Sequence, residues 1–232
     1  FHNIRKAYND ADNMEAKSNM MLGAFYGGVA ITGSGTTAVH ALSYPLGGKY
    51  HIAHGVSNAI LFAHVMEFNK DACKERLAEL CDGVFPELAT KSVDEKADYM
   101  IEQIADIVKV TNIPTDLNEF GVKMEDLDFL VQAGSDQKRL LVNNMKELSL
   151  DDIREIYLKG FEIAVKTAQP YAIMTSYNLI NGVHSANNYD MLQNIARDEW
   201  GFEGLVMTDW YTSQDTTEMG MVSPSGKYSH SS

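Results

Sequence analysis

Positive charge is scarce in this 232-residue sequence, in which 19 Lys and Arg residues stand against 32 Asp and Glu residues for a formal net charge of −13. No basic stripe offsets the acidic excess, which excludes a nucleic-acid partner and an anionic membrane surface. Uninterrupted apolar runs of about 20 residues, the length that spans a bilayer, are also absent. Small molecules and other proteins remain as partners.

Cysteine is nearly absent as well, since Cys73 and Cys81 are the only two. They stand eight residues apart in a helical pattern, and a disulfide between them would need a reversal of the chain that nothing there predicts. We therefore expect free thiols and a reducing, cytoplasmic location. The sequence starts at Phe1 without an initiator methionine or the layout of a signal peptide, and we expect it to begin inside a longer protein.

Strand patterns are missing from the first two thirds of the sequence. Ala16–Ile31 is apolar and rich in small residues on all sides, which predicts a core helix packed on every face. Apolar residues at spacings of three and four predict two further helices, Asn58–Phe68 and Ala97–Val110. Ser149-Leu-Asp-Asp152 is a capping signal ahead of a helix over Ile153–Phe161. This part of the chain is predicted to be all-helical.

Beyond residue 161 the pattern changes. Tyr171–Asn178 is a short β-compatible run that leads into a turn-rich segment, and Gly204–Trp210 is a second apolar strand. Helical spacing over Asp190–Glu199 lies between them, so the order is β-α-β, the unit of a parallel sheet or barrel. The fold class is therefore mainly α with a small C-terminal β-α-β appendage. We predict an all-helical domain over 1–161, a β-α-β fragment over 162–213 and a disordered tail over 214–232.

Histidines supply the first candidate site. Neutral imidazoles bind Zn²⁺ or Fe²⁺, and a bound ion needs several ligands that converge from different parts of the chain. A proline and two glycines after His40 are expected to stop its helix, so that the chain doubles back and presents His54 to the same point. Tyr44 lies one helical turn after His40, where it would donate a hydrogen bond to a bound oxygen. By spacing alone the pair could equally be structural, as we expect of His51 and His64.

Several motifs in this part of the chain occur together in a known family. They are Ala38-Val-His-Ala-Leu-Ser-Tyr-Pro-Leu-Gly-Gly, His54-Gly-Val-Ser-Asn-Ala-Ile-Leu, His64-Val-Met-Glu-Phe-Asn, Ile113-Pro-Thr-Asp-Leu and Leu148-Ser-Leu-Asp-Asp-Ile-Arg-Glu-Ile-Tyr. Together they resemble the helical metal-binding domain of the iron-containing alcohol dehydrogenases, over residues 1 to 161. The resemblance implies a helical bundle in which His40 and His54 are ligands of Fe²⁺ or Zn²⁺.

The same resemblance implies a metal-dependent oxidoreductase. In that family the metal polarises the oxygen of an alcohol or aldehyde while hydride passes to or from NAD(P). Two more metal ligands, an Asp and a His, and the glycine-rich loop that binds NAD(P) belong to parts of the family pattern that this sequence does not show. The family also often has a histidine where Tyr44 stands. We therefore expect weak metal binding at most, and no turnover by this chain alone.

A second set of motifs lies in the last third of the chain. It comprises Pro170-Tyr-Ala-Ile-Met-Thr-Ser-Tyr-Asn-Leu-Ile-Asn-Gly-Val-His, Arg197-Asp-Glu-Trp-Gly-Phe-Glu-Gly and Val206-Met-Thr-Asp-Trp. These resemble the nucleophile region of glycoside hydrolase family 3. The resemblance implies that Asp209, at a strand end, is the nucleophile of a retaining mechanism, in which a second carboxyl group acts as acid and base. We expect Asp198, Glu199 and Glu203 to be solvated charges instead of that acid.

Three functions stay open on this basis. A dehydrogenase domain, acting on an alcohol or aldehyde, accounts for the largest share of the sequence. A glycosidase fragment, acting on a glycoside, is the second, and a non-catalytic helical module for protein association is the third. The segment Arg154–Glu162 is compatible with both family patterns and marks their junction. Apolar surface left where further domains would pack favours association, with a homo-oligomer left open.

Overall fold

The computed structural model describes residues 1–168, 172–175, 179–180 and 183–208, and helices dominate it. The helices are α1 (Ile4–Asn9), α2 (Met14–Ser34), α3 (Ala38–Tyr50), α4 (His54–Val84), α5 (Val93–Val110), α6 (Leu127–Ser135), α7 (Lys138–Leu141) and α8 (Leu150–Ala168). Single 3₁₀ turns occupy Pro86–Leu88, Leu117–Phe120 and Met124–Asp126. Within the described ranges the first strand begins at Ala172, which confirms the prediction of an all-helical first part.

Several helices run past the ends that the sequence predicts. α4 ends at Val84 and not at Phe68. α8 continues beyond Phe161 to Ala168. The expectation that α3 stops at Pro45 is wrong, because the helix continues through this residue to Tyr50. Pro45 gives up one helical hydrogen bond, the one that its missing N–H would donate to the carbonyl of Ala41. Its ring is buried, and burial in the core outweighs that local cost.

The chain divides into two compact units. One comprises Phe1–Thr115 and Phe129–Tyr157, and the other comprises Asp116–Asp128 and the residues from Leu158 onward. The division falls inside α8, after Tyr157. Each unit is therefore built from two separate stretches of sequence.

The first unit has its core where α4 packs against α5. The buried side chains of this cluster are Cys73, Leu77, Cys81, Phe85, Ala97, Met100 and Ile101. Both cysteines are free thiols, as the helical spacing predicts. At the start of α5 the Ser92 hydroxyl accepts a hydrogen bond from the Glu95 N–H, and the Glu95 carboxylate accepts one from the Ser92 N–H. This reciprocal capping satisfies two N–H groups that the helix itself leaves without acceptors.

A close helix crossing holds α3, α6 and α8 together in the same unit. The hydroxyl of Tyr157 on α8 is fully buried and donates a 2.6 Å hydrogen bond to the carbonyl of Leu42 on α3. Gly134 on α6 faces both residues: a Cβ atom there would lie 2.7 Å from a methyl carbon of Leu42 and 3.2 Å from the Tyr157 oxygen. Only glycine leaves room for this approach.

The prediction that the segment Ala16–Ile31 is buried on every side is wrong. It is helical, as part of the 21-residue α2, but Ala16 is its only buried residue among those described. Phe25 is 64% exposed and Met21 is 77% exposed. A helix that is apolar on every side is suited to burial, but its own sequence does not determine whether other elements pack against it. No helix within the described residues is long and apolar enough to cross a membrane.

The second unit contains the strands. β1 (Ala172–Met174) pairs in parallel with β4 (Leu205–Met207), with Ile173 opposite Val206. A helix with π-type hydrogen bonding, Asp190–Glu199, lies between them in sequence, which confirms the predicted β-α-β order. A short antiparallel hairpin of β2 (Leu179–Ile180) and β3 (Val183–His184) begins within the predicted turn-rich segment. The predicted tail, 214–232, lies outside the described residues.

Arg197 connects the π-type helix to the start of β4. Its guanidinium donates hydrogen bonds of 3.2 Å to the carbonyls of Phe202 and Gly204. Trp200 and Phe202 are buried beside it. The two stretches of this unit meet at Gly160, where a Cβ would lie 2.8 Å from the side chain of buried Leu117. Arg197 thus holds the segment that leads into β4.

Replacing Gly134 with alanine tests the helix crossing. We expect Gly134→Ala to lower the free energy of unfolding by about 1–3 kcal/mol, because the added methyl group overpacks the contact with Leu42 and Tyr157. Gly83→Ala is the matched control, since nothing lies within 4 Å of a Cβ there and alanine favours helix by up to about 1 kcal/mol. Urea unfolding followed by circular dichroism measures both. Equal stability of the two variants would contradict the tight crossing.

Candidate metal site

A short reversal of the chain joins α3 to α4. α3 ends at Tyr50, and His51 adopts the left-handed conformation, with φ of 56°, while its N–H bonds to the Gly47 carbonyl at 3.1 Å. α4 begins three residues later, at His54. The reversal puts the first turn of α4 beside the first turns of α3. It is made by a left-handed residue after the helix, and not by Pro45 or the glycines within it.

His40 and His54 lie next to one another across this reversal. Their ring centroids are 5.2 Å apart, and the ring planes meet at 58°. The Tyr44 ring lies 6.0 Å from the His54 ring. Tyr44 is 39% exposed and His54 is exposed, whereas His40 is half-buried. The structure thus brings together the two histidines and the tyrosine that the sequence singles out.

Two buried serines fix the backbone at the histidines. The Ser43 hydroxyl donates to the His40 carbonyl, and the Ser57 hydroxyl donates to the His54 carbonyl, both at 3.0 Å. Both serines are fully buried. Each hydroxyl is satisfied within its own helix, so neither serine needs a partner in the core. The backbone carbonyl at each of the two histidines therefore accepts the same kind of hydrogen bond, from a serine three residues later.

Asn58, one helical turn after His54, contacts its ring. The amide nitrogen of Asn58 lies 3.0 Å from Nε2 and 3.4 Å from Nδ1 of His54, and it donates to the His54 carbonyl at 2.9 Å. An amide N–H can donate to an imidazole nitrogen only through the lone pair that a metal would use. The Asn58 amide nitrogen therefore lies where it would compete with a metal ion for a ring nitrogen of His54.

Electrostatics favour the neutral form of His40. Partial burial, and secondarily the charge of neighbouring His54, lower the pKa of His40 below its usual value. A neutral imidazole has a free lone pair and is the form that binds metal. The lowered pKa of His40 favours this neutral form.

The donor set fits part of a metal shell. Two imidazoles on adjacent helices can occupy two positions around Fe²⁺ or Zn²⁺, which take four or more ligands. In the ranges that the structure describes, no group of three or more His, Cys, Asp or Glu side chains could hold an ion. Within this part of the chain, the two imidazoles would leave the other positions around an ion to further ligands.

The remaining sequence candidates lie elsewhere. His51 forms the reversal, and His64 lies further along α4. Asp209 is outside the described residues. Asp198, Glu199 and Glu203 are exposed, as expected for solvated charges. Sequence analysis missed Asn58, although its position one turn after a candidate ligand is a signal that could have identified it.

Comparison with known proteins gives two families. Residues 1–161 match the Fe-containing alcohol dehydrogenase family, C-terminal. The long-chain-alcohol dehydrogenase 1 of Geobacillus thermodenitrificans is 35% identical over 158 residues, which are 68% of this chain and 40% of that protein. The lactaldehyde reductase of Escherichia coli is 32% identical over 147 residues, 63% of this chain and 38% of that protein.

Solved structures agree with this match. A 1,3-propanediol oxidoreductase superposes with a TM-score of 0.65 at 26% identity, covering 69% of this chain and 42% of that one. The sulfoacetaldehyde reductase of Bifidobacterium kashiwanohense, solved in complex with NAD⁺, gives a TM-score of 0.58 at 27% identity and covers 68% of this chain and 39% of that one.

The second family matches the carboxyl-terminal part. Residues 134–229 match the glycosyl hydrolase family 3 N terminal domain, so that 134–161 is common to both matches. An exo-alpha-(1->6)-L-arabinopyranosidase of Bifidobacterium breve is 48% identical over 91 residues, 36% of this chain and 12% of that protein. This chain spans about two fifths of its dehydrogenase relatives and about one eighth of this glycosidase. Because the first match covers most of the sequence, the chain belongs to the Fe-containing alcohol dehydrogenase family, through its C-terminal domain.

Proposed function

We propose that this chain binds one divalent metal ion, Fe²⁺ or Zn²⁺, through His40 and His54, and presents it to the oxygen of an alcohol or aldehyde. The 5.2 Å separation of the two rings carries the proposal. Membership of a family of Fe-containing dehydrogenases supports it, as does the neutral form of His40. When bound, the metal would act as a Lewis acid on that oxygen.

The neighbouring side chains define what else the site does. Tyr44 lies beside His54 and carries a phenol O–H, which would donate a hydrogen bond to the same substrate oxygen. NAD(P), the hydride carrier of the family, would be held by residues outside the sequence given, as would the further metal ligands. We therefore propose that the chain binds metal weakly and performs no turnover by itself. The site could act in a dehydrogenase only with those residues.

Removing both imidazoles tests the metal site. We expect the double variant His40→Ala/His54→Ala to lose Zn²⁺ binding by about a hundredfold or more, because both proposed ligands are gone. Isothermal titration calorimetry, with one ion per chain in the unchanged protein, measures this. His51→Asn is the matched control: it removes a nearby histidine but keeps a residue that tolerates a positive φ. Unchanged affinity in the double variant would refute the proposal.

Asn58 provides a second test, in which the substitution is expected to strengthen Zn²⁺ binding and not to weaken it. A metal ion has to displace the Asn58 amide from His54, and a hydrogen bond of this kind contributes about 1 kcal/mol net. Asn58→Ala should therefore tighten Zn²⁺ binding by roughly fivefold. Asn19→Ala, which changes an asparagine on α2, should leave the affinity unaltered. Weaker binding by Asn58→Ala would show that the amide supports the ligand and does not compete with the metal.

A glycosidase function is the second candidate, favoured by the 48% identity to an arabinopyranosidase. In it Asp209 would attack the anomeric carbon of a glycoside as the nucleophile of a retaining mechanism. We expect no covalent labelling of this chain by a 2-deoxy-2-fluoro glycoside, because the retaining mechanism needs a second carboxyl group as acid and Asp198, Glu199 and Glu203 are exposed. Mass spectrometry of the intact chain, with Asp209→Ala as control, measures this. A label that the control lacks would establish the glycosidase function instead.

A further inference from the structure

The loop between α7 and α8 is hydrogen-bonded to the supports of both candidate ligands. We refer to residues 143 to 146, which follow α7 closely, as the 143–146 loop. Its first residue contacts the link in front of α3, and its later residues contact α4. His40 belongs to α3 and His54 belongs to α4. One short segment is therefore tied to both parts of the chain that carry the imidazoles.

Asn143 makes the contact with the link before α3. Its amide nitrogen donates a hydrogen bond of 3.2 Å to the Thr36 carbonyl and one of 3.4 Å to the Arg139 carbonyl on α7. Gly35, next to Thr36, has a φ of 72°, and a Cβ built there would lie 3.0 Å from the same amide nitrogen. Only glycine combines this backbone conformation with room for the amide.

The Thr36 carbonyl is joined directly to the start of α3. The next residue, Thr37, is the N-cap, and its carbonyl accepts the first backbone hydrogen bond of the helix, from the Ala41 N–H at 3.1 Å. The Thr37 side chain makes no capping hydrogen bond, so this end of the helix is not fixed by its own cap. Asn143 supplies a restraint there, one turn or less from His40.

The rest of the loop is fixed on α4. The side-chain amides of Asn144 and Asn69 donate to one another, at 2.8 and 3.0 Å, and Asn69 is buried. The Lys146 ammonium donates to the Phe68 carbonyl at 2.9 Å and lies 4.3 Å from the centre of the Phe68 ring. A reciprocal amide pair and a cation–π contact together define one position for the loop. Asn143 is thus held from α4 when it bonds to Thr36.

We propose that Asn143 is a positioning residue for the candidate metal site. Its amide holds the start of α3 in a fixed orientation to α4 and so keeps the imidazole of His40 beside that of His54. Asn143 acts through the backbone of Thr36 and not as a ligand. This inference rests on the proposed function, in which both imidazoles bind one ion.

Zn²⁺ titration of the full chain by isothermal calorimetry tests the role. We expect Asn143→Ala to raise the dissociation constant about three- to fivefold, the effect of one hydrogen bond on an equilibrium. Asn194→Ala is the matched control. It also removes an exposed asparagine whose amide makes a hydrogen bond, at 2.9 Å to Asp190, but in the other unit, and it should leave the affinity unaltered. Far-ultraviolet circular dichroism checks that each variant keeps its helices.

Cobalt substitution separates positioning from stability. Co²⁺ binds the same imidazole ligands, and its visible absorption follows the geometry of those ligands. We expect a different spectrum from Co²⁺-saturated Asn143→Ala, because one imidazole is out of alignment. Gly35→Ala, which crowds the Asn143 amide, should change the spectrum too, whereas Gly83→Ala, with no atom within 4 Å of its Cβ, should not. A folded variant that has only lost stability would keep both the spectrum and the affinity.

The positioning role and the proposed function fail in different ways. If the unchanged protein binds metal and Asn143→Ala leaves either the affinity or the spectrum unaltered, the positioning role is overturned and the proposed function stands. If the unchanged protein binds no metal, the proposed function is refuted and the positioning role falls with it.

Discussion

The contact between the hydroxyl of Tyr157 and the carbonyl of Leu42 links α8 to α3, and the position of His40 depends on it. Leu42 lies two residues after His40 on the same helix, so the buried hydrogen bond fixes the turn that carries the imidazole. Gly134 allows α6 to approach the same point. The close packing of α3, α6 and α8 at this crossing therefore fixes the helical turn that carries His40.

Much of the helical part could be predicted from the sequence, because amphipathic spacing and capping are local signals. α5 with its Ser92 cap and α8 with its Ser149 signal follow those signals closely. Two failures have a common cause. The sequence predicts that Pro45 ends a helix and that Ala16–Ile31 is buried, but both features depend on contacts with the rest of the chain. Local patterns do not contain that information.

At the candidate site, too, part of the arrangement could be predicted from the sequence and part could not. The pairing of His40 with His54 follows from a reversal that the sequence predicts, although a left-handed His51 makes it and Pro45 does not. The contact of Asn58 with the His54 ring depends on side-chain geometry that spacing alone does not define. Two family patterns meet at 134–161, a stretch that holds the end of α6, all of α7 and the first part of α8.

The central claim is that two imidazoles from this chain bind one metal ion. X-ray absorption of the Zn²⁺-loaded chain tests it most directly, because the fine structure at the metal edge counts imidazole ligands. We predict two imidazole nitrogens at about 2.0 Å, with oxygen in the remaining positions. A spectrum with oxygen ligands alone, or one that keeps its imidazole signal after His40 and His54 are replaced, would contradict the account.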